Sequence, residues 1–378
     1  MKGGSSGAHR RGPRLAFDDP FESEHTTAMQ SPRWLPLGLT LVAACADPYR
    51  PACRANAPTR LTLQSGVLTE HAQGHWQFAT LSTVGTDGGA FTERVTVSSF
   101  AVSGEPLDER TLTVEPSRGP VVVAGLTEGV AIVSTRSSTD GGRELEIGLY
   151  GFDGGVGRLT VPSGALGGFG SPIPRLAEVG PFVHLSQLGV DGPELLQVSR
   201  DATLVGRRAI ERGEPVVFGS DATAIGRTLV SPTLEPLTSR GPALALDEVV
   251  AWSVSARRWV VANLVSASIL VDQFDFEADE GAARRVSEGT RVVGVGVSSS
   301  GAGVTFEVTT FVGEKARNSL WFAAVDETGR KRGPDVPIGV EGMPGLAAPA
   351  RVAPLDASGF GLFFPTIDGL IHQRVTCE

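Results

Sequence analysis

The segment Gly296-Val297-Ser298-Ser299-Ser300-Gly301 comes nearest to a serine nucleophile turn, but Ser300 stands where the second glycine of G-x-S-x-G belongs. It therefore reads as a polar hairpin loop between two Val-rich strands. Four histidines follow the N-terminal region: His71, His75, His184 and His372. His71 and His75 would share a face in a helix or a strand, yet no third ligand accompanies them, so they read as solvated loop residues. His184 lies in an apolar run and reads as a core side chain. Asp275-Phe276-Glu277-Ala278-Asp279-Glu280-Gly281 sets oxygen ligands at alternate positions, as a calcium loop does. Its glycine is one residue late, however, and Val286 occupies the closing acid's place. No glycine-rich phosphate loop precedes any of the three lysines, Lys2, Lys315 and Lys331. These residues predict no catalytic constellation, no cofactor and no metal site.

The chain that must position any such residues has 378 of them, 41% hydrophobic and 20% charged, enough for a substantial core. Forty-eight glycines and 25 prolines suit many short strands joined by turns. The net charge of -9, without a basic stripe, predicts no nucleic-acid partner.

Near the N-terminus, Met29 to Arg33 form a short positive segment and Trp34 to Ala44 an apolar run too short to span a bilayer. The run ends in Val42-Ala43-Ala44-Cys45, which resembles the lipobox of bacterial lipoproteins. The resemblance implies that residues 29–44 are a signal peptide and that Cys45 carries the acyl groups (palmitate among them) of a lipid anchor. Ala46, rather than Asp, after Cys45 implies sorting to the outer membrane. Residues 1–28 read as a start placed too early or a disordered extension, and residues 45–57 as a tether. With Cys45 lipidated, Cys53 and Cys377 remain as the pair for a disulfide, which an exported protein keeps.

Residues 58–378 carry a repeat of roughly 50 residues. Leu81-Ser82-Thr83-Val84-Gly85-Thr86-Asp87-Gly88 and Leu185-Ser186-Gln187-Leu188-Gly189-Val190-Asp191-Gly192 share L-S-x-x-G-x-D-G, with Thr139-Asp140-Gly141 between them. Each is a strand, a tight Asp-Gly turn and a second strand. Arg110 to Val114 and Arg158 to Gly164 follow as outer strands. Phe360 to Val375 repeats the hairpin around Asp368-Gly369 but has no outer strand after it, whereas Arg60 to Gly66 is an outer strand without a hairpin before it. The whole looks like a β-propeller whose first strand completes its last blade, leaving only short sheet edges. The expected fold class is all-β with about six blades, or else seven blades or a pair of β-sandwiches. In the six-blade count, Asp221 to Leu237 is an insertion in one blade.

Ser138-Thr139-Asp140-Gly141-Gly142 partly resembles the Asp box of sialidases, but Leu145 replaces the aromatic residue. Sialidase chemistry is not expected. The expected function is a non-catalytic binding or scaffold lipoprotein of the cell envelope, anchored through Cys45, with a protein or glycan partner on an acidic loop face rimmed by Asp87, Asp140, Asp191 and Asp368. The alternative is an envelope hydrolase or lyase whose site lies in the propeller channel, built from residues about one blade apart.

Overall fold

The computed structural model describes residues 53–377, apart from 71–73, 86–90, 117–120, 139–141, 165–173, 240, 242–248, 279–280, 282, 314, 340–344 and 357–358. Cys45, His71, Asp87, Asp140, Asp279 and Glu280 lie outside the described residues. Every regular element among the described residues is a strand, and the strands form seven antiparallel sheets.

Sheet 1 is Val67–Glu70, Trp76–Gly85, Phe91–Phe100 and Pro106–Val114, paired in that order. Sheet 2 is Val121–Leu126, Gly129–Ser137, Arg143–Gly151 and Val156–Ser163. Sheet 3 is Arg175–Val179, Phe182–Leu188, Pro193–Val198 and Leu204–Ala209. Sheet 4 has short strands, Val216–Phe218, Thr223–Ile225, Thr228–Val230 and Pro236–Thr238. Sheet 5 is Val249–Ser253, Arg258–Val265, Ser268–Asp275 and Arg284–Glu288. Sheet 6 is Arg291–Ser298, Gly301–Val312, Lys315–Asp326 and Val336–Ile338. Sheet 7 is Arg351–Asp356, Gly359–Thr366 and Gly369–Cys377, completed by the N-terminal Cys53–Ala55 and Thr59–Arg60.

The fold is the expected all-β, propeller-like one, and the strands among the described residues form seven sheets, the alternative count, in place of about six. Asp221 to Leu237 is not an insertion. It makes up most of sheet 4, where Ala222, Ala224, Leu229 and Val230 are buried. Three-residue strands are too short to show a period-two pattern, which is why this sheet does not stand out in the sequence.

Middle strands alternate as a half-buried sheet must: in Arg143–Gly151, Leu145, Ile147 and Leu149 are buried while Glu144 and Glu146 stay accessible. Buried side chains of one sheet pack on those of the next, as Leu145 and Ile147 of sheet 2 do with Leu185 and Leu196 of sheet 3. The first strands approach one another closely. Those of sheets 1 and 3 touch although sheet 2 lies between them in the chain, which places the first strands around a common axis. Between sheets 6 and 7 the fit depends on glycine: a Cβ on Gly296 would lie 2.1 Å from the Val352 carbonyl oxygen.

The ring closes as the orphan strand suggested, though the pairing begins earlier. Cys53 lies opposite Cys377, and Thr59 opposite His372. The Leu61 N–H then donates to the Leu370 carbonyl at 2.8 Å. Gln64 to Gly66 belong to the connection into sheet 1. A disulfide joins Cys53 to Cys377 across 324 residues, as expected.

Candidate functional site

Charged side chains from four sheets meet along the axis. Glu70 ends the first strand of sheet 1, and Ser220-Asp221 form the turn after the first strand of sheet 4. Arg175 and Arg351 begin the first strands of sheets 3 and 7. The two carboxylates therefore lie toward the end of the axis where first strands finish, and the two arginines toward the end where they start.

The turn at residues 219–222 is built to present Asp221. The Gly219 N–H donates to the Ala222 carbonyl at 3.0 Å, and the Ser220 carbonyl accepts from Gly180 N–H of sheet 3 at 2.9 Å. A Cβ on Gly219 would stand 2.7 Å from the Trp252 ring, so glycine lets that ring lie against the turn. Trp252 then donates its indole N–H to Asp221 Oδ1 at 3.3 Å. Buried Ala222 pins the turn, while Asp221 itself stays exposed.

Across the axis, the Ser220 hydroxyl lies near the Glu70 carboxyl and favours its charged form. Burial pushes the Glu70 pKa above the usual carboxylate range; Arg351 opposes the shift, and the charge of Asp221 adds to it. The Asp221 pKa is also raised, because the protein packed around its carboxyl disfavours the charge even though the residue keeps accessible surface, and the Trp252 hydrogen bond opposes the shift. Glu70 and Arg351 keep some accessible surface although protein surrounds them closely, as befits residues lining an axial passage. Burial lowers the Arg351 pKa, Glu70 raises it, and Arg175 lowers it further as a like charge. Arg351 nevertheless remains a cation, because a guanidinium is not deprotonated in proteins.

A third carboxylate in this neighbourhood is already committed. Glu178 is buried and accepts from the Thr127 N–H and hydroxyl at 2.7 Å each, and from Arg200 at 2.9 Å. Its role is to tie sheet 3 to sheet 2. A cleft of about 640 Å³ at the ends of sheets 1 to 3, lined in part by Arg110, Tyr150, Phe152 and Arg200, has paired charges as well. Arg110 pairs with Asp108 at 2.6 Å, and Arg200 with Glu128 at 2.6 Å.

The residues singled out in the sequence are dispersed. His184 is fully buried between sheets 3 and 4, with Nδ1 2.8 Å from Thr223 Oγ1 and Nε2 2.9 Å from the Pro232 carbonyl oxygen, as a core histidine should be. Ser298 closes a hairpin, hydrogen-bonding Ser300 and the Gly301 carbonyl. Glu277 of the acidic run pairs with Arg257. Asp191 and Asp368 lie in turns between second and third strands. Among the described residues, no group of three or more His, Cys, Asp or Glu side chains could hold a metal. Sequence reasoning missed Glu70, Arg175, Asp221 and Arg351. Their one shared signal is position at the ends of first strands, which needs the sheet count to be read.

No family model and no curated protein matches the chain. Solved structures similar to it include the propeller of Dos1, at 9% identity over 85% of this chain and 94% of that one, with a TM-score of 0.43. A GH43 beta-xylosidase/alpha-arabinofuranosidase from a compost microbial metagenome matches at 10% identity over 75% of this chain and 98% of that one, with a TM-score of 0.31. A GH43_1 enzyme from Xanthomonas citri matches at 14% identity over 75% of this chain and 94% of that one, with a TM-score of 0.32. The likeness is one of fold.

The expectation of a non-catalytic binding or scaffold lipoprotein is corrected here. The axis holds acid groups and cations that no sequence motif announced. What the axis can do follows from its own residues.

Proposed function

We propose that the protein is a hydrolase of the cell envelope, exported and lipid-anchored at Cys45, that cleaves a glycosidic bond at the axial site. The observation that supports this most is the meeting of Glu70 and Asp221, from sheets 1 and 4, with the Glu70 carboxyl biased toward its protonated form. Glycosidic hydrolysis needs one carboxyl group that can still give up a proton near neutral pH and a second that works as carboxylate. Glu70 is the proton donor to the leaving oxygen. Asp221, oriented by Trp252, is the carboxylate that activates water or stabilises the developing positive charge at the sugar carbon.

The test is hydrolysis of a panel of 4-nitrophenyl glycosides by the mature protein. Glu70→Gln should reduce kcat/KM by about 100-fold or more, the range expected for loss of a general acid. The wild-type rate should fall at alkaline pH as Glu70 loses its proton. If wild-type protein cleaves no glycoside in the panel, or if Glu70→Gln is as fast as wild type, the proposal fails.

A further inference from the structure

We infer that the cleft at the ends of sheets 1 to 3 is a binding site for a neutral oligosaccharide, separate from the axial carboxyl pair. The inference stands on the cleft's own residues and does not need the hydrolase reading.

The cleft opens at the end of the molecule where first strands finish, beside the turn between the first two strands of sheet 2 and the turns between the last two strands of sheets 2 and 3. Its volume of about 640 Å³ falls in the range of small-molecule sites, about 300 to 1,000 Å³. Gly151, Gly155 and Gly157 of sheet 2 line it, and a Cβ on Gly157 would stand 2.8 Å from the Ala202 Cβ. Glycine is what lets the outer strand of sheet 2 meet the turn of sheet 3 there.

Apolar and polar groups alternate along the lining. Tyr150 and Phe152 are half-buried, packed against the core between sheets 1 and 2, and both also line the cleft. Val156, opposite Tyr150 on the neighbouring strand, is exposed beside them. The Arg110 guanidinium lies over the Phe152 ring, 4.9 Å from its centre, so N–H donors stand next to apolar ring surface. A saccharide carries the matching mixture, C–H faces for the rings and aliphatic groups and hydroxyls for the donors and acceptors.

The state of the charges selects a neutral ligand. Arg110 is paired with Asp108 at 2.6 Å, and Arg200 with Glu128 at 2.6 Å and Glu178 at 2.9 Å. Asp153 accepts from the Gly155 N–H at 3.0 Å, and Asp201 accepts from the Ser199 hydroxyl. An acidic sugar would meet arginines already held by carboxylates, beside the lining acids Glu128, Asp153 and Asp201, and would be desolvated without gaining a cation. A purely apolar ligand would desolvate the same groups without bonding to them. Hydroxyls avoid both costs, because a guanidinium has more donors, and a carboxylate more acceptor positions, than these contacts use.

The test is a glycan array carrying neutral, uronate-bearing and amino-sugar oligosaccharides, probed with the mature protein, followed by isothermal titration with the neutral oligosaccharides it retains. Wild type should bind neutral oligosaccharides ahead of both charged classes. Val156→Arg, at an exposed position, should weaken that binding at least 10-fold at unchanged Tm, and Phe152→Ala should weaken it by a similar factor. Both variants should turn over 4-nitrophenyl monosaccharide glycosides as wild type does, whereas Glu70→Gln should lose hydrolysis and keep oligosaccharide binding. Failure to bind any neutral oligosaccharide, a preference for a charged class, or neutral binding unchanged in both cleft variants would each overturn the inference. Cleft-dependent binding in a protein that cleaves no glycoside would leave this site standing and remove the hydrolase.

Discussion

Buried polar side chains in this protein serve the seams between sheets. The Nε2 of His184 reaches the Pro232 carbonyl of sheet 4, and the Nε2 of His372 reaches the Val102 carbonyl of sheet 1 at 3.0 Å. A carbonyl oxygen can only accept, so each Nε2 carries the proton, and Nδ1 of His184 is left to accept from Thr223. Burial favours the neutral form of both rings in the folded state. Burial lowers both pKa values below the ordinary 6.5, against the hydrogen bonds to Pro232 and Val102. The unfolded chain binds more protons than the folded one as pH falls below about 6.5, so stability is full above that pH and declines below it toward each folded pKa. The histidines' contribution to Tm, read as the difference between wild type and His184→Gln, should be level above about pH 7 and fall through pH 6 to 5. Replacing His184 with Gln should flatten part of that fall, and an unchanged acid limb would contradict the role given to this ring.

At the scale of strands, the decisive feature is how closely first strands approach each other. The Gly294 and Gly296 positions of sheet 6 face the Ala350 and Val352 carbonyls, where an added Cβ would stand only 2.6 and 2.1 Å from the oxygens. Neither glycine has a positive φ, so close backbone approach, and not conformational freedom, is what they provide. Gly296→Ala should push Arg291–Ser298 and Arg351–Asp356 apart, at a cost of about 1 to 3 kcal/mol as in other overpacked cores. Gly345→Ala, where a Cβ meets nothing within 4 Å, serves as the control and should leave Tm unchanged. Much of this level was legible in the sequence. The outer strands expected at Arg110 to Val114 and Arg158 to Gly164 end within a residue of the observed Pro106–Val114 and Val156–Ser163, which start four and two residues earlier. Sheet 4 escaped because its strands are three residues long. The axial site escaped because Glu70, Arg175, Asp221 and Arg351 are separated by 46 to 130 residues and share no motif. Only a sheet count places them together.

Across the whole molecule, the same device recurs from sheet to sheet and then closes the ring. Gln77 donates to the Leu126 carbonyl at 3.2 Å, His184 bonds to Pro232, and Gln273 donates to the Asp326 carbonyl at 2.8 Å, each reaching the following sheet. These partners are 49, 48 and 53 residues apart, so the period seen in the sequence reappears as the spacing of its seams. His372 makes the equivalent link from the last sheet back to the first, across 270 residues. Closure cannot rest on that bond alone, because the N-terminal pairing consists of a three-residue strand and a two-residue strand. The Cys53–Cys377 disulfide fixes this short pairing at its end. Tying a loop of 324 residues reduces the entropy of the unfolded chain by an amount worth on the order of 5 kcal/mol in the chain-entropy model, an upper figure for measured disulfides. The Cys53→Ser, Cys377→Ser double variant should therefore melt well below wild type. Its first loss should be amide protection in Cys53–Arg60 and Gly369–Cys377, with sheets 2 to 5 still protected, since the ring then opens at its one seam made by distant ends of the chain. Hydrogen exchange that shows uniform loss across all sheets, or a Tm equal to wild type, would mean that the hydrogen-bonded seam holds the ring without the disulfide.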